Sequence, residues 1–397
     1  MAAGKVMDPD VNLIREVKKA GGDTLKRCYQ CATCSVVCKL SPQDKPFPRK
    51  EMLWAQWGMT DRLMADPDIW LCHQCNDCSI NCPRGARPGD VLAAIRSYIY
   101  KKFAFPSFMG TALASPTALP FLFLAPILIL LGCIYFSAPL DASGQFVFLA
   151  SSEIDFNLFL PHSTVDGLFV FGNILIFLFA AIGFNRFWKG LKASGHESRL
   201  SFVGALIKTA TEIIAHTHFN QCETNKSRSV WHLVLFYGFI GSMITTGLVF
   251  LLIFIPHYLH EWKIFDIYIL PMPPIELPSP IKILGALSGL ALMVGGAMLI
   301  FRRWSNRDEV GANGYADYLF LYVMFVVGVT GMLSWICRSY IGVPMLAYVV
   351  YFIHMVFVYF LLWYMPYSKF AHMIYRTLAM IYARSIDRRP RSFVQAN

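Results

Sequence analysis

From about residue 117 onward the chain is dominated by six apolar runs, at about 117–137, 165–187, 230–255, 282–301, 317–337 and 342–366. Each is near the roughly 20 residues that an α-helix needs to cross a bilayer. In lipid no water satisfies the backbone N–H and C=O groups, so a spanning segment must satisfy them internally. Long uninterrupted apolar runs do this as helices. The expected architecture is therefore all-α, with a six-span transmembrane helix bundle. The first run carries Pro120 and Pro126. A span kinked in this way is tolerated where neighbouring helices satisfy the freed carbonyls.

Six spans return the chain to the side on which it began, and the distribution of charge tests this. With the N-terminal region inside, the inner segments are 1–116, 188–229, 302–316 and 367–397. These carry nearly all the basic residues, and the outer loops hold only Lys263, Lys282 and Arg338. By the positive-inside rule both termini are expected on the cytoplasmic side of the inner membrane. The net charge of +10 follows this topology, so the expected partner surface is lipid and not nucleic acid. Only 15% of the residues are charged, against about 25% in a soluble domain. The opening stretch MAAGKVMDPDVNLIREVKKAGG has no apolar core and no small-residue cleavage site, so it does not read as a signal peptide.

Three regions follow: a polar head over 1–110, a membrane domain over 111–370 and a basic cytoplasmic tail over 371–397. The tail, including RSIDRRPRSF, is expected to be solvated and to face lipid headgroups. In the head, residues 9–20 and 90–103 have the spacing of amphipathic helices, with Asp90 near the start of the second. The stretch between the cysteine runs is helix-like up to Asp66-Pro67, and no alternating strand pattern occurs.

Eight of the eleven cysteines lie in two runs. The first is Cys28-x2-Cys31-x2-Cys34-x3-Cys38, and the second is Cys72-x2-Cys75-x2-Cys78-x3-Cys82-Pro83. In a reducing compartment such runs bind metal. A structural zinc prefers two separated pairs, whereas closely spaced thiolates suit a cubane. In two-cluster ferredoxins the fourth thiolate comes from the other run. Cys28, Cys31, Cys34 and Cys82 are therefore expected to hold one [4Fe-4S] cluster, and Cys72, Cys75, Cys78 and Cys38 the other. Lys39 stands where the first run would have its proline, which removes no ligand. Lys26, Arg27, Lys39, Arg84 and Arg87 flank the runs and would offset the clusters' negative charge.

Ionisable groups inside a membrane are costly and usually functional. His354 lies in the sixth apolar run and His372 eighteen residues later. On one continuous helix they would share a face about 27 Å apart, enough for one haem each. His232, at the inner start of the third run, is at the depth to pair with His372. For His354 no histidine lies at matching depth; Met243 is a weaker candidate, as are His162 and His257 near the outer ends. His216 and His218 fit an interfacial amphipathic helix. No C-x-x-C-H occurs, so any haem is b-type and not covalently attached.

The 33 residues between Cys38 and Cys72 exceed what a compact bacterial ferredoxin needs. This spacing, with its helix-like filler, resembles the α-helical ferredoxin domain of succinate dehydrogenase iron–sulfur subunits and of the heterodisulfide reductase C subunit. The last five spans resemble the γ subunit of respiratory nitrate reductase, which carries haem-ligand histidines on the second and last of five spans. His232, His354 and His372 fall on the matching helices, with Ser242-Met243 where the fourth ligand is expected. Lys282 falls where that γ subunit has a lysine, which implies contact with quinone.

The two parts in this order, over roughly residues 10–385, resemble the membrane subunits of quinone-interacting membrane-bound oxidoreductase complexes of sulfate-reducing prokaryotes. That resemblance implies two [4Fe-4S] clusters, one or two b haems and menaquinone as substrate. It also implies two cytoplasmic flavin- and cluster-bearing partner subunits related to heterodisulfide reductase A, serving adenylylsulfate reductase indirectly. The equivalent subunit of a membrane-bound heterodisulfide reductase-type complex is the alternative, and a non-catalytic membrane anchor the third. The chain has no flavin or nucleotide fingerprint of its own and reads as part of an oxidoreductase.

Overall fold

The head begins where sequence and electrostatics agree. Asp10 caps the helix Val11–Lys19 by accepting from the N–H groups of Asn12 and Leu13, and Lys18 and Lys19 close its last turn. The long helix Pro88–Phe103 opens on a proline with Asp90 in its first turn and ends on Lys101 and Lys102. These elements belong to a computed structural model that describes residues 8–215, 226–261, 274–306, 311 and 314–388. His216, His218 and Lys263 lie outside the described residues. Among those described the secondary structure is helical, with one isolated bridge, Leu140 to Phe146, and no strand.

Six helices are long and apolar enough to cross a membrane: Pro116–Ser137, His162–Lys192, Arg228–Glu261, Pro280–Ser305, Tyr315–Ile341 and Pro344–Trp363. Pro126 sits inside the helix Leu119–Ser137 without ending it. A proline frees the carbonyl four residues earlier, here that of Leu122, and the Tyr364 hydroxyl donates to that oxygen at 3.0 Å. The residue just past the sixth span thus supplies the hydrogen bond that the first lacks.

The head is not a detached unit. Trp70 and Tyr100 share one buried core with Phe187 of the second span and Tyr375, Ala379 and Tyr382 of the C-terminal helix His372–Ser385. The Trp70 and Tyr375 rings stack with centroids 5.1 Å apart, and Phe187 meets Trp70 edge-on at 5.4 Å. Such pairs add about 0.5–1.5 kcal/mol each beyond their burial.

The segments that open the third span and precede the fifth also meet the head. Arg228, opening the third span, donates to the carbonyls of His73 and Gln74 at 2.8 Å each. Gly311, at φ +84, lies where a Cβ would come within 2.2 Å of Asn76 Nδ2. Only glycine allows both that backbone and that approach.

Two expectations are corrected. The single helix through His354 and His372 does not exist: the sixth span ends at Trp363, and short 3₁₀ turns over Met365–Tyr367 and Lys369–Ala371 precede the helix that starts at His372. Pro366 has no N–H with which to continue the ladder, and Ser368 caps the new turn by accepting from the Phe370 N–H at 3.1 Å. The two rings therefore belong to different helices, and five continuous turns do not relate them.

The C-terminal segment, up to Arg388, is also no solvated tail. Arg388 donates through Nε to Asp68 Oδ1 at 2.6 Å, pairs with Asp68 Oδ2 through its second nitrogen, and donates to the carbonyls of Asp44 and Lys45. Lys50 Nζ reaches Asp66 and Asp68 at 2.8 Å and Glu51 at 3.0 Å. Burial pushes the Glu51 carboxyl well above its ordinary range, against the pull of Lys50. Removing one partner of a buried pair typically costs about 3–5 kcal/mol. Because Lys50 stays on Asp68, Arg388→Ala is expected to cost about 3 kcal/mol, at the lower end. Thermal unfolding of the detergent-solubilised chain checks this, and an unchanged transition would mean that the clamp is not stabilising.

Candidate functional site

The two cysteine runs fold the same way, and that way is costly. Gln30 and Ala32 in the first run have φ of 62 and 71, and Gln74 and Asn76, at the same offsets in the second, have φ of 52 and 68. Left-handed backbone at a non-glycine residue costs roughly 1–2 kcal/mol. It alternates the direction of successive peptides and aims backbone N–H groups into a concavity, a nest that suits anions, including the sulfur-rich cages of iron. Each loop then enters a short helix, Thr33–Val37 and Asp77–Ile80.

The thiols are gathered across the runs. Burial pushes Cys28 up, the Gln30 N–H pulls it down, and Cys82 and Cys31 push it up again. Cys34 is pushed up to about 11, by burial first and then by Cys28, with Cys82 also within reach. On the other side, burial and the neighbouring Cys72 and Cys75 raise Cys38. One small cavity is lined by Cys38, Cys72, Cys75 and Cys78 together. Each set of three consecutive cysteines thus meets the last cysteine of the opposite run. Four thiols around one small cavity fit a cubane in number and chemistry. Sulfurs also accept hydrogen bonds: from the Gln74 N–H to Cys72 Sγ and from the Ala86 N–H to Cys82 Sγ, both at 3.3 Å. Such bonds raise a cluster's reduction potential.

The sets differ in exposure. Cys31 is exposed, whereas Cys72 and Cys78 are buried. The first set faces outward, and the second lies toward the membrane domain, whose Arg228 binds its backbone, as does Arg96 of the head helix Pro88–Phe103. Of the flanking cations, Arg84 lies over the Tyr29 ring at 4.2 Å and Arg87 pairs with Asp90 at 2.6 Å. The charge of Arg49, which sequence reasoning passed over, reaches both Cys28 and Cys31. It lies well beyond the first run in sequence and returns to it only through the fold.

His354 sits in the sixth span with Nδ1 at 3.0 Å from Thr330 Oγ1. That hydroxyl already donates to the Val326 carbonyl at 2.7 Å. The imidazole is therefore the donor, and its Nε2 keeps a lone pair. The ring lies against Gly331, where a Cβ would come within 3.0 Å of Cε1. His372 repeats the pattern outside the span: its Nδ1 is 2.6 Å from the Lys369 carbonyl oxygen, which can only accept. Burial holds this imidazole neutral, pushing its pKa down to about 3. A histidine with Nδ1–H held and Nε2 open is set up as a metal ligand, so both residues fit axial ligation of haem.

His232 lies half-buried in the third span, and Met243 is 47% exposed. His162 starts the second span and packs on Phe254 with ring centroids 5.0 Å apart. His257 pairs with Glu261 at 3.2 Å. Lys282 lies over the Trp335 ring at 4.6 Å.

The comparisons with known proteins divide along the same line as the fold. The family profile described as citrate utilization protein B matches residues 114–393, and the 4Fe-4S dicluster domain matches residues 24–86. The chain is 33% identical over 88 residues to the C subunit of the H(2):CoB-CoM heterodisulfide,ferredoxin reductase of Methanothermobacter marburgensis, covering 22% of this chain and 48% of that protein. It is 33% identical over 92 residues to a protein of Archaeoglobus profundus described as like the heterodisulfide reductase C subunit, covering 23% and 49%. The chain thus spans about half the length of these relatives. It is 24% identical over 389 residues to citrate utilization protein B of Escherichia coli, covering 89% of this chain and 88% of that one. No solved structure matches the chain. The head is heterodisulfide reductase C-like and iron–sulfur in type, and the domain that follows carries the six apolar helices.

Proposed function

The chain belongs to the citrate utilization protein B family, and on that premise we propose that it is the membrane subunit of a quinone-linked oxidoreductase. It relays electrons between menaquinone and cytoplasmic flavin and iron–sulfur subunits, through b haem and two [4Fe-4S] clusters. The observation that carries this reading is the crossed gathering of eight thiols in two matched left-handed loops, one of them packed directly on the membrane domain. Bound cofactors would supply one-electron steps at potentials that the protein sets. The chain's own residues position them. Cys28, Cys31, Cys34 and Cys82 hold the outward cluster, and Cys72, Cys75, Cys78 and Cys38 the inward one. His232 and His372 take the inner haem, and His354 an outer one, with His162 and Met243 as weaker candidates for its second ligand. Lys282 is the sequence-based candidate for contact with quinone.

The head meets Arg228, Gly311 and the C-terminal segment on one side of the bundle, which we assign to the cytoplasm of the inner membrane. A reporter fused after Asn397 should read as cytoplasmic and one inserted near Gly144 as external. Equal sides would mean that the helix with Pro126 does not cross.

Two soluble partner sets are in play. The head's similarity to the heterodisulfide reductase C subunit and the order of the two domains support partners related to heterodisulfide reductase A, and through them adenylylsulfate reductase. The end-to-end similarity to citrate utilization protein B favours instead a partner in citrate utilisation. Identifying the polypeptides that co-purify with the tagged chain separates the two. Purification with no redox partner and no iron or haem would leave only a membrane anchor.

A further inference from the structure

Between the head and the membrane domain lies a cavity that opens to solvent. Its lining combines apolar Leu113, Val323, Phe360 and Leu361 with polar Arg96, Lys369 and His372. Arg96 ties it to the second cysteine run, donating to the carbonyls of Cys72 and Ile69 at 2.8 Å each. Gln74 of that run lines both this cavity and the hollow among the inward thiols.

Among the described residues, Lys369 pairs with Asp317, and Arg303, Arg96 and Arg228 lie near enough to act on it. Such a setting favours a ligand that presents electron-rich oxygens. The walls come from the head, residues 110–114, the start of the fifth span and the segment from Phe360 to His372. The third span contributes none of them, so His232 does not line this space. At the outer end of the bundle Lys282 lies over the Trp335 ring.

We propose that this junction cavity binds an isoprenoid quinone, its ring oxygens toward Arg96 and Lys369 and its tail along Leu113, Val323 and Phe360. The proposal rests on the quinone-linked reading above and moves the site from Lys282 to the inner face, beside the inward cluster. A largely apolar pocket with a few convergent polar groups is the usual form of such a site.

The test uses the full chain in detergent with the quinol analogue 2-n-heptyl-4-hydroxyquinoline N-oxide, whose fluorescence is quenched on binding. Ala93→Trp and Ala316→Trp fill the cavity from its head wall and its membrane wall. Each should weaken binding by about tenfold or more, while Lys282→Ala should stay within about twofold of the parent. Full affinity in a cofactor-replete filled variant, or loss in Lys282→Ala alone, would overturn the site while leaving a quinone link intact. No binding to the parent chain would overturn the quinone link and the site together. Photolabelling the parent with an azido-naphthoquinone does not depend on any variant folding. Label on residues 93–114 or 314–323 supports the cavity, and label confined to the neighbourhood of Lys282 contradicts it.

Discussion

Replacing Cys82 with serine should remove the cluster of the first cysteine run and spare that of the second. Cys82 lies within the second run but sits among the thiols of Cys28 and Cys34, each of which feels its charge. Cys38→Ser should do the reverse, because Cys38 shares its cavity with Cys72, Cys75 and Cys78. Anaerobically reconstituted full chain is expected to hold about eight irons and eight acid-labile sulfides, and each variant about four of each. The full chain is required, because the head shares its core with Phe187 and Tyr375 from outside residues 1–110. The paramagnetic component missing in Cys82→Ser should be the one that Cys31→Ser removes and that Cys75→Ser leaves. If Cys82→Ser instead matches Cys75→Ser, the ligands do not cross over. Zinc without sulfide would replace the cluster account altogether.

His232→Ala and His372→Ala should each abolish the same low-spin haem component, since each removes one of its two axial bonds. His354→Ala should abolish a different one. The expected loss is complete for the component concerned. An outer haem completed by Met243 would titrate at a higher potential than a bis-histidine site, because thioether ligation raises it. Redox-titrated optical spectra of the three variants beside the parent check this. The break between Trp363 and His372 sharpens the expectation. The two histidines are held by separate contacts, Thr330 and Gly331 for one and the Lys369 carbonyl for the other. Loss at one should therefore not propagate to the other. Full haem signal in His354→Ala would mean that this histidine is not a ligand, leaving a single inner haem.

The parts of the fold legible in the sequence were those governed by local rules. Apolar length marks the six helices, amphipathic spacing marks the head helices near 9–20 and 90–103, and cysteine spacing marks the two loops. What escaped depends on contacts far apart in the chain. Nothing near Pro126 announces that Tyr364, far along the chain, will donate to the carbonyl it frees. Nothing in RSIDRRPRSF distinguishes Arg388, bound to Asp68, from the other arginines beside it. One missed signal was local. Pro366 stands between His354 and His372, and a proline in a helical pattern is reason to end the helix. Lipid tolerance of proline was the competing rule, and it held for Pro126 but not here, past the apolar run. The cavity at the junction was beyond reach, because its walls come from the head and from separate segments later in the chain.

The central claim is that quinone, haem and iron–sulfur clusters form one electron path through this chain. The direct measurement reduces the full chain with dithionite, removes the excess, mixes it anaerobically with menadione, and follows haem absorbance and cluster paramagnetism together. The account predicts that menadione oxidises haem and both clusters. It also predicts that 2-n-heptyl-4-hydroxyquinoline N-oxide slows all of them in parallel. Oxidised haem beside clusters that stay reduced, or oxidation that the analogue leaves untouched, would contradict a single path.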